Sequence, residues 1–360
     1  MRRKKKSGSR LLLGLSILFA FLVGIIVGEL RVFPYQFSGF LQNSIQSNAI
    51  SSTNKSTEFP DLSKEIYFTS HLDGTQQPMY FYGTTAENLQ PLVVELHNWG
   101  GDYNSFYLYD EISLPTEVQS RNWNYIRPNL RGPNNSPSSC CSKLAIGDLE
   151  DAIAYAIQNS KVDPKRIVIV GGSGGGYTAL CALMKLNRDI KEFHVWAPIV
   201  DLEAWYHQLI SSNIPYDRDI LNCTNSSNQK LNVTEARVRS PLYMNTPTNK
   251  FGKTKVKIYA GINDGYSGSV PITHSINFYN KILSDLGAEA PDQYIKPLEK
   301  LYMIENRLPP NSSSLKHGKL DSKREILYQK IDRNLALTIF DGGHDMVMKQ
   351  VLKDLENALQ

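Results

Sequence analysis

The chain has 360 residues, of which 41% are hydrophobic and 21% are charged; this composition is typical of a globular protein and excludes a wholly disordered chain. The formal net charge is +4, but six basic residues stand among the first ten, so the remaining 350 residues carry a net charge of −2. The body of the chain has no excess of basic residues, and we therefore expect no nucleic-acid partner.

The N-terminus joins this basic segment, residues 1–10, to an uncharged and mostly apolar run, Leu11–Gly28. As a helix the run spans roughly 27 Å, which is close to the hydrocarbon thickness of a bilayer. We therefore predict a single transmembrane anchor at 11–28, with a cytoplasmic N-terminus and the rest of the chain on the extracytoplasmic side of the membrane. A cleaved signal peptide, which gives a secreted protein, is the alternative, although no Ala-x-Ala-like site follows the run.

Residues 29–60 are rich in Ser, Asn and Gln and predict a linker, which places the globular domain at 61–360. Apolar runs bounded by turn signals predict its first strands, and a clustered apolar face predicts its first helix. The strands are expected at 65–71, 79–83, 92–97 and 123–128, and the helix at 148–158.

A glycine-rich turn follows the next predicted strand. Ile167–Val170 is a β-branched apolar run, typical of a strand that is buried on both faces. Gly171–Gly175 comes directly after it with Ser173 at its centre, and Tyr177–Leu186 then shows helical spacing of apolar residues. A strand, a Gly-x-Ser-x-Gly turn and a helix together predict a nucleophile elbow, in which a strained turn exposes the serine hydroxyl.

Two other interpretations of this turn are open. It is a structural turn, or it is a loop that binds a dinucleotide phosphate, since Gly174, Gly176 and Ala179 fit a looser form of the dinucleotide fingerprint. Glu192 lies near the distance at which that fingerprint has its ribose-binding acid. The later strands of the domain discriminate between these interpretations.

Beyond the turn, strands are predicted at 194–200, 255–260 and 335–340, with helices at 272–286 and from the last strand to about residue 359. Two polar segments, 203–254 and 288–333, are predicted to be insertions in the domain. The first is expected to lie over the carboxyl edge of the sheet. Alternating strands and helices predict an α/β fold with a doubly wound, mostly parallel sheet.

Three chemically suitable residues each follow a predicted strand, in the chain order of the α/β-hydrolases: Ser173, Asp264 and His344. The carboxyl ends of parallel strands share one sheet edge, so these side chains are expected to converge. His344 is then the base that activates Ser173, and Asp264 orients the imidazole. Asp201 and Asp341 are rivals for the acid, but Asp341 is too close to His344 in the chain to orient it easily.

An oxyanion hole requires two N–H donors beside the nucleophile. The amide of Gly174 is the first candidate, and the amide of Trp99, in the glycine-containing loop after the strand at 92–97, is the second. Trp99 is also expected as a pocket wall. Arg131 is expected to be a structural ion-pair partner rather than a substrate clamp, and His274 to face outward or pack on its helix.

The four cysteines, Cys140, Cys141, Cys181 and Cys223, show no metal-binding spacing, and no metal or other cofactor is expected. In an oxidising compartment Cys223 is able to pair with either Cys140 or Cys141. Cys181, in an apolar helix, is predicted to be a buried small hydrophobic residue.

These motifs resemble the catalytic domain of the prolyl oligopeptidase (S9) family of α/β-hydrolases. The resemblance extends from about residue 62 to the C-terminus and rests on segments 96–101, 128–132, 171–176, 197–206, 261–271 and 342–344. Two departures stand out: Gly174 occupies a position where the family often has Tyr or Ala, and only a linker precedes the domain here, where the family usually has a β-propeller or another large domain.

The resemblance implies a serine hydrolase that works by acyl-enzyme transfer, most naturally a serine-type peptidase acting on a peptide. A carboxylic-ester hydrolase similar to acetylxylan or feruloyl esterases is the first alternative, with a small ester as substrate. A binding module with an inactive α/β-hydrolase fold is the second, and the intact order of Ser173, Asp264 and His344 argues against it.

Overall fold

The structure, a computed structural model, describes residues 64–106, 110–212, 214–310 and 318–359. The predicted basic segment at 1–10, anchor at 11–28 and linker at 29–60 lie outside these ranges. Every element described below lies within the unit Pro60–Gln360. No helix within the described ranges is long and apolar enough to cross a membrane.

The described residues form a nine-stranded sheet of order β1-β2-β4-β3-β5-β6-β7-β9-β8. The six strands from β4 to β9 in this order are parallel, whereas β1, β2 and β8 pair antiparallel at the two edges. The strands are β1 (Lys64–Thr69), β2 (Gln76–Tyr82), β3 (Gln90–Leu96), β4 (Asn124–Pro128), β5 (Val162–Gly172), β6 (Glu192–Trp196), β7 (Lys255–Gly261), β8 (Ile326–Asp332) and β9 (Leu335–Phe340).

Helices connect the parallel strands, as crossover connections in such a sheet require. The described helices are α1 (Leu114–Ser120), α2 (Lys143–Asn159), α3 (Gly174–Lys185), α4 (Leu202–Leu209), α5 (Tyr216–Cys223), α6 (Val233–Val238), α7 (Ile272–Asp285), α8 (Pro297–Asn306) and α9 (Met348–Leu359). A short 3₁₀ helix, Pro241–Tyr243, follows α6.

The core lies on both faces of the central strands. Ile167–Val170 of β5 and Leu92–Val94 of β3 are fully buried, which explains why both read as continuous apolar runs rather than alternating ones. Helix α3 is buried along eleven of its twelve residues, with only Lys185 exposed at its end. The glycine turn is therefore followed by a helix that is almost completely buried.

The predicted α/β class and mostly parallel sheet are confirmed, and some boundaries are corrected. Helix α2 begins at Lys143, five residues before its predicted start, because the Ser142 side chain accepts a hydrogen bond from the Ala145 amide and caps it. Strand β6 ends at Trp196 rather than at residue 200, since Ala197 adopts a positive φ of 44° that turns the chain out of the sheet.

Both predicted insertions contain regular structure that the sequence analysis missed. Segment 203–254 holds most of α4, all of α5 and α6 and the 3₁₀ helix, while 288–333 holds α8 and strand β8. Strand β8 pairs antiparallel with β9 and forms an edge of the sheet. Its side chains are mostly half-buried, which weakens the alternation by which a strand is detected.

Candidate active site

Ser173 sits in a strained turn between β5 and α3. Its backbone has φ 55° and ψ −118°, a combination outside the usual regions for a residue with a side chain. Hydrogen bonds hold it there, because its amide donates to the Trp196 carbonyl at 2.8 Å and its carbonyl accepts from the Tyr177 amide at 2.9 Å. Strain that the surrounding structure enforces in this way is typical of a functional residue.

Glycine is required next to Ser173 because two chain segments touch there. A Cβ atom at position 174 would lie 2.1 Å from the backbone nitrogen of Trp99, and one at position 171 would lie 2.3 Å from the Gly175 carbonyl oxygen. The departure from the family pattern at Gly174 thus has a steric cause: the Trp99 loop lies directly against the turn. The same contact brings the Gly174 and Trp99 amides together.

His344 and Asp264 meet at the carboxyl ends of neighbouring strands. His344 lies in the turn after β9, and Asp264 follows β7. The distance between His344 Nδ1 and Asp264 Oδ2 is 2.7 Å. The side chain of Asp264 is completely buried, and that of His344 remains 25% exposed. The structure therefore brings together the acid and the base that the chain order predicts.

Backbone contacts fix the Asp264 carboxylate. Its Oδ1 accepts hydrogen bonds from the Gly265 amide at 2.9 Å and the Val270 amide at 3.0 Å, which leaves Oδ2 for the imidazole. The turn depends on Gly265, whose φ is +83°, and on Gly268, where a Cβ atom would lie 2.4 Å from Asp264 Oδ1. The carboxylate accepts three hydrogen bonds and cannot rotate without breaking them.

The other nitrogen of His344 faces Ser269 in this structure. Ser269 Oγ lies 3.4 Å from His344 Nε2, a long and weak contact, whereas no hydrogen bond joins Ser173 to His344 among the described residues. Catalytic contacts often tighten only when substrate is bound. Burial disfavours the charged imidazole, but the attraction and hydrogen bond of Asp264 outweigh it and raise the pKa of His344 above its usual value of 6.5.

The Trp99 amide has the properties of an oxyanion donor. Among the described residues it donates no hydrogen bond, and the amide of Gly174, as the first residue of α3, has no partner within the helix. Two contacts hold the loop that contains Trp99. The Trp99 carbonyl accepts a hydrogen bond from the Asn134 amide at 2.8 Å. The two ring nitrogens of His97 lie 3.0 Å from the carbonyl oxygens of Asn98 and Asn129. Two free amides therefore meet beside Ser173.

The rival acids lie elsewhere. Asp201 caps α4 by accepting from the Ala204 amide and also accepts from the Tyr243 hydroxyl at 2.9 Å. Asp341 is exposed at the end of β9. Glu192, the residue considered for ribose binding, is buried against His194 and Lys257, so it is engaged within the sheet.

Two further predictions concern a cation and a histidine. Arg131 forms ion pairs with Asp73 and with the buried Asp148, as a structural role requires. His274 does not face outward: it is 4% exposed, and its Nδ1 accepts a hydrogen bond from the Val200 amide at 3.1 Å. Burial lowers the pKa of His274 to about 4, so the ring is neutral in the folded protein near pH 7.

Cys181 is buried in the core, as predicted, but it is not a free cysteine. Cys181 forms a disulfide with Cys141, and Cys223 pairs with Cys140, which resolves the choice left open by the sequence. The two adjacent cysteines thus connect the loop after β4 to helix α3 and to helix α5. The first bridge was missed because the partner residues are 40 positions apart in sequence and only the fold brings them together.

Aromatic and acidic residues around Trp99 were also missed. The Trp99 ring lies 4.8 Å from that of Trp205 and 5.4 Å from that of Tyr177, and its Nε1 donates to Asp219 at 3.2 Å. Trp205 in turn lies 5.8 Å from Tyr216 of α5. Trp205 and Tyr206 were part of a recognised motif, but nothing in the irregular-looking segment 203–254 singled out Asp219 or Tyr216.

Comparison with known proteins supports the resemblance. A model of the prolyl oligopeptidase family matches residues 143–299, which include the Ser173 turn and Asp264. Two uncharacterized proteins named YfhR, from Salmonella typhi and Salmonella typhimurium, are 28% identical to this chain over 127 residues, covering 34% of the chain and 41% of each relative. The chain thus aligns with less than half of these relatives.

Solved structures show the same fold. The acylaminoacyl peptidase of Pyrococcus horikoshii, in an orthorhombic crystal form, has a TM-score of 0.54 at 16% identity, over 82% of this chain and 42% of that one. Oligopeptidase B from Leishmania major has a TM-score of 0.52 at 13% identity, over 82% of this chain and 36% of that one. Together with the family match at 143–299, they confirm the resemblance of the chain to the prolyl oligopeptidase family and show an α/β-hydrolase fold.

Proposed function

We propose that this protein is a serine-type peptidase that works by acyl-enzyme transfer, with Ser173 as nucleophile, His344 as general base and Asp264 as the orienting acid. The observation that carries the proposal is the 2.7 Å contact of His344 Nδ1 with Asp264 Oδ2 at the same sheet edge as the strained Ser173 turn. The family match at 143–299 supports a peptide as the substrate.

In the proposed reaction, His344 Nε2 accepts the Ser173 hydroxyl proton while Oγ attacks the substrate carbonyl carbon. The carbonyl π electrons move onto oxygen, and collapse of this tetrahedral intermediate breaks the bond to the leaving group, which takes the proton from His344. A water molecule then repeats the sequence on the acyl-enzyme, releases the acid product and restores Ser173. Asp264 keeps the Nδ1 proton in place throughout and stabilises the imidazolium.

The Gly174 and Trp99 amides are the proposed oxyanion donors. Both are backbone groups, and the contact between their residues leaves no room for a side chain at position 174. Donors fixed in this way need no reorganisation when the negative charge develops, which is the condition for effective electrostatic stabilisation. No side chain therefore has to become ordered during the reaction for the proposed oxyanion hole to act.

We also propose that the domain works outside the reducing cytoplasm. Two disulfides are formed among the four cysteines, and such bonds persist in oxidising compartments. The apolar run at 11–28 supplies the export signal in this proposal, either as a retained anchor or as a cleaved signal.

A fluorophosphonate probe tests the nucleophile directly. The wild-type protein should be labelled, and the Ser173→Ala variant should not, although both unfold at the same temperature. Equal labelling of both proteins removes Ser173 from the mechanism. Absence of labelling and of all turnover in a folded wild-type protein favours the binding module.

A panel of matched acyl anilides and p-nitrophenyl esters tests the substrate class. Cleavage of anilides that disappears in Ser173→Ala supports a peptidase. Turnover of esters alone, with no anilide cleaved, identifies the protein as a carboxylic-ester hydrolase that uses the same three residues.

A further inference from the structure

A cavity of about 690 Å³ lies away from the proposed active site. Three elements line it: the turn between β1 and β2, the start of α2 and the end of α3. Helix α3 begins directly after Ser173 and reaches the cavity only at its last residue, Lys185, about 18 Å along the helix axis. The cavity therefore belongs to a different part of the domain, and its volume is in the range of small-molecule sites.

One part of the lining is apolar. It contains Ile146 of α2, which is buried, and Leu72 of the turn between β1 and β2. Leu72 packs so closely on Gly147 that a Cβ atom at position 147 would lie 2.4 Å from Leu72 Cδ1. A ligand with an apolar body gains free energy by covering this surface.

The charged part of the lining is mainly cationic. It contains Lys143, Lys185 and Arg188 against a single carboxylate, Glu150. Glu150 is already engaged, because its Oε2 lies 3.3 Å from Arg188 Nε and its Oε1 accepts from the Asn187 amide at 2.8 Å. The pair of Arg188 and Glu150 is neutral, so the two lysines are left without a counter-charge in the lining.

Neither lysine forms an ion pair with a described residue. The Lys185 ammonium has three N–H groups, of which one donates to the Cys141 carbonyl at 2.8 Å, and the other two have no partner among the described residues. Lys143 is exposed and is the first residue of α2. The macrodipole disfavours a positive charge at that end of a helix, so the stability of α2 does not explain this lysine.

The environment of Lys185 also disfavours an isolated charge. Desolvation and the positive charge of Arg239 lower the pKa of Lys185, and the more favourable charge of Glu235 does not offset them. An anion in the cavity would oppose both effects, because a nearby opposite charge favours the ionised form of an amine. Both lysines therefore gain from an anionic ligand.

We propose that this cavity binds an amphiphilic anion, in which an apolar chain or ring ends in a carboxylate or a phosphate. The apolar body covers Leu72 and Ile146, and the anionic head pairs with Lys143 and Lys185. The site is separate from Ser173, so the proposal stands whether or not the proposed reaction is correct.

Isothermal titration calorimetry of the whole protein tests the ligand class with four probes: octanoate, octyl phosphate, 1-octanol and acetate. Octanoate and 1-octanol share an apolar chain and differ in charge, whereas acetate keeps the charge and lacks the chain. We expect one site for octanoate or octyl phosphate, with 1-octanol and acetate bound at least ~10-fold more weakly. The tighter of the two anions identifies the head group as a carboxylate or a phosphate.

Two double variants test the role of the lysines. Lys143→Gln/Lys185→Gln should bind the preferred anion ~10-fold to ~100-fold more weakly, as expected for the loss of charged hydrogen-bond donors. Lys349→Gln/Lys353→Gln is the matched control, because it removes the same charge from two exposed lysines of α9 outside the cavity, and its affinity should be that of the wild type. Equal losses in the two variants overturn the proposal. Equal affinity of the wild type for octanoate, octyl phosphate and 1-octanol does so too, as does the absence of saturable binding of either anion below micelle formation.

Reductive methylation of lysines locates the site in the wild-type protein, so the proposal stays testable where Lys143→Gln/Lys185→Gln fails to fold. The preferred anion should slow the methylation of Lys143 and Lys185, measured by mass spectrometry of their peptides, and should leave Lys349 and Lys353 unaffected. An anion that binds without protecting Lys143 and Lys185, or that protects all four lysines equally, contradicts a site in this cavity.

Discussion

His344 Nδ1 lies 2.7 Å from Asp264 Oδ2, although the two residues are 80 positions apart in sequence. The contact arises because β7 and β9 are adjacent and parallel, so that both residues leave the sheet at one edge. The other carboxylate oxygen of Asp264 is held by the amides of Gly265 and Val270. The Asp264 carboxylate is therefore fixed to the backbone of its own turn, and it contacts the imidazole in the turn after β9.

Replacement of the acid tests this relationship. We expect Asp264→Asn to lower kcat roughly 10⁴-fold, because an amide stabilises no imidazolium and favours the wrong tautomer of His344. Asp201→Asn is the control, since asparagine also caps a helix and Asp201 contacts Tyr243 rather than His344. Steady-state rates of the two variants decide the question. A larger loss in Asp201→Asn than in Asp264→Asn transfers the acid role to Asp201.

The proposed role of His344 as the general base predicts the pH dependence of the reaction. Burial disfavours its charge, yet Asp264 outweighs burial and raises its pKa above 6.5. Because the base must be neutral to accept a proton, kcat/KM should rise with pH through a midpoint above 6.5 and then level off. This same pairing stabilises the fold fully below pH 6.5, and its contribution is lost as the pH rises through the folded-state pKa.

Fluorophosphonate labelling rates between pH 5 and 9 measure that midpoint. In Asp264→Asn the attraction that raises the pKa is gone while burial remains, so the acid limb should move to lower pH. A midpoint that stays in place in this variant contradicts the assignment of Asp264 as the partner of His344.

Much of this site was predictable because its signals are local. The turn around Ser173 shows its strand, glycines and helix within twenty residues, and Asp264 and His344 each follow a recognisable apolar run. Parallel strands then bring their carboxyl ends to one edge by topology alone. The fold class, the order of these residues and the loop of Trp99 were predicted without knowledge of contacts between distant segments.

What sequence reasoning missed depends on contacts between distant segments. The Cys141–Cys181 bridge and the Trp99–Asp219 hydrogen bond join residues 40 and 120 positions apart. The strand predicted at 194–200 was too long because the apolar run continues beyond the sheet into buried residues such as Ile199 and Val200. Burial and strand pairing are different causes of an apolar run, and the pattern does not separate them.

Gly174 provides a test of the contact between the two proposed oxyanion donors. A Cβ atom there would meet backbone rather than a flexible side chain, so Gly174→Ala must displace the Trp99 loop. We expect kcat to fall ~100-fold to ~1,000-fold, as for the loss of one oxyanion donor. At Gly172 an added Cβ has its nearest neighbour, Met346 Sδ, at 3.5 Å, so Gly172→Ala is the control and should retain most activity. Equal activity of both variants would show that Trp99 does not act in the hole.

The disulfide pairing makes a separate prediction about thiol reactivity. In Cys140→Ala the freed Cys223 should react with iodoacetamide under denaturing, non-reducing conditions, and in Cys141→Ala the freed Cys181 should do so. Mass spectrometry of the alkylated peptides identifies each site. Alkylation of Cys181 in Cys140→Ala, or of Cys223 in Cys141→Ala, contradicts the observed pairing.

Loss of the Cys140–Cys223 bridge should affect α5 in particular. The double variant Cys140→Ser/Cys223→Ser is expected to lose about 2–5 kcal/mol of unfolding free energy, since the bridge joins residues 83 positions apart. A variant with full stability shows that α5 is held by its packing alone.

His274 predicts a loss of stability in acid that is independent of the active site. Its ring is buried and accepts a hydrogen bond from the Val200 amide, and burial lowers its pKa to about 4 against the attraction of Asp201 and Asp264. The unfolded chain takes up this proton near pH 6.5 and the folded chain only near pH 4, so folding loses about 3 kcal/mol from this group as the pH falls between those values. Urea unfolding at pH 7.5 and pH 4 measures the loss. His274→Gln should reduce this loss of unfolding free energy. His71→Gln, the control, replaces an exposed histidine and should leave the loss unchanged. Equal pH dependence in the wild-type protein and in His274→Gln excludes the buried ring as the source of the loss.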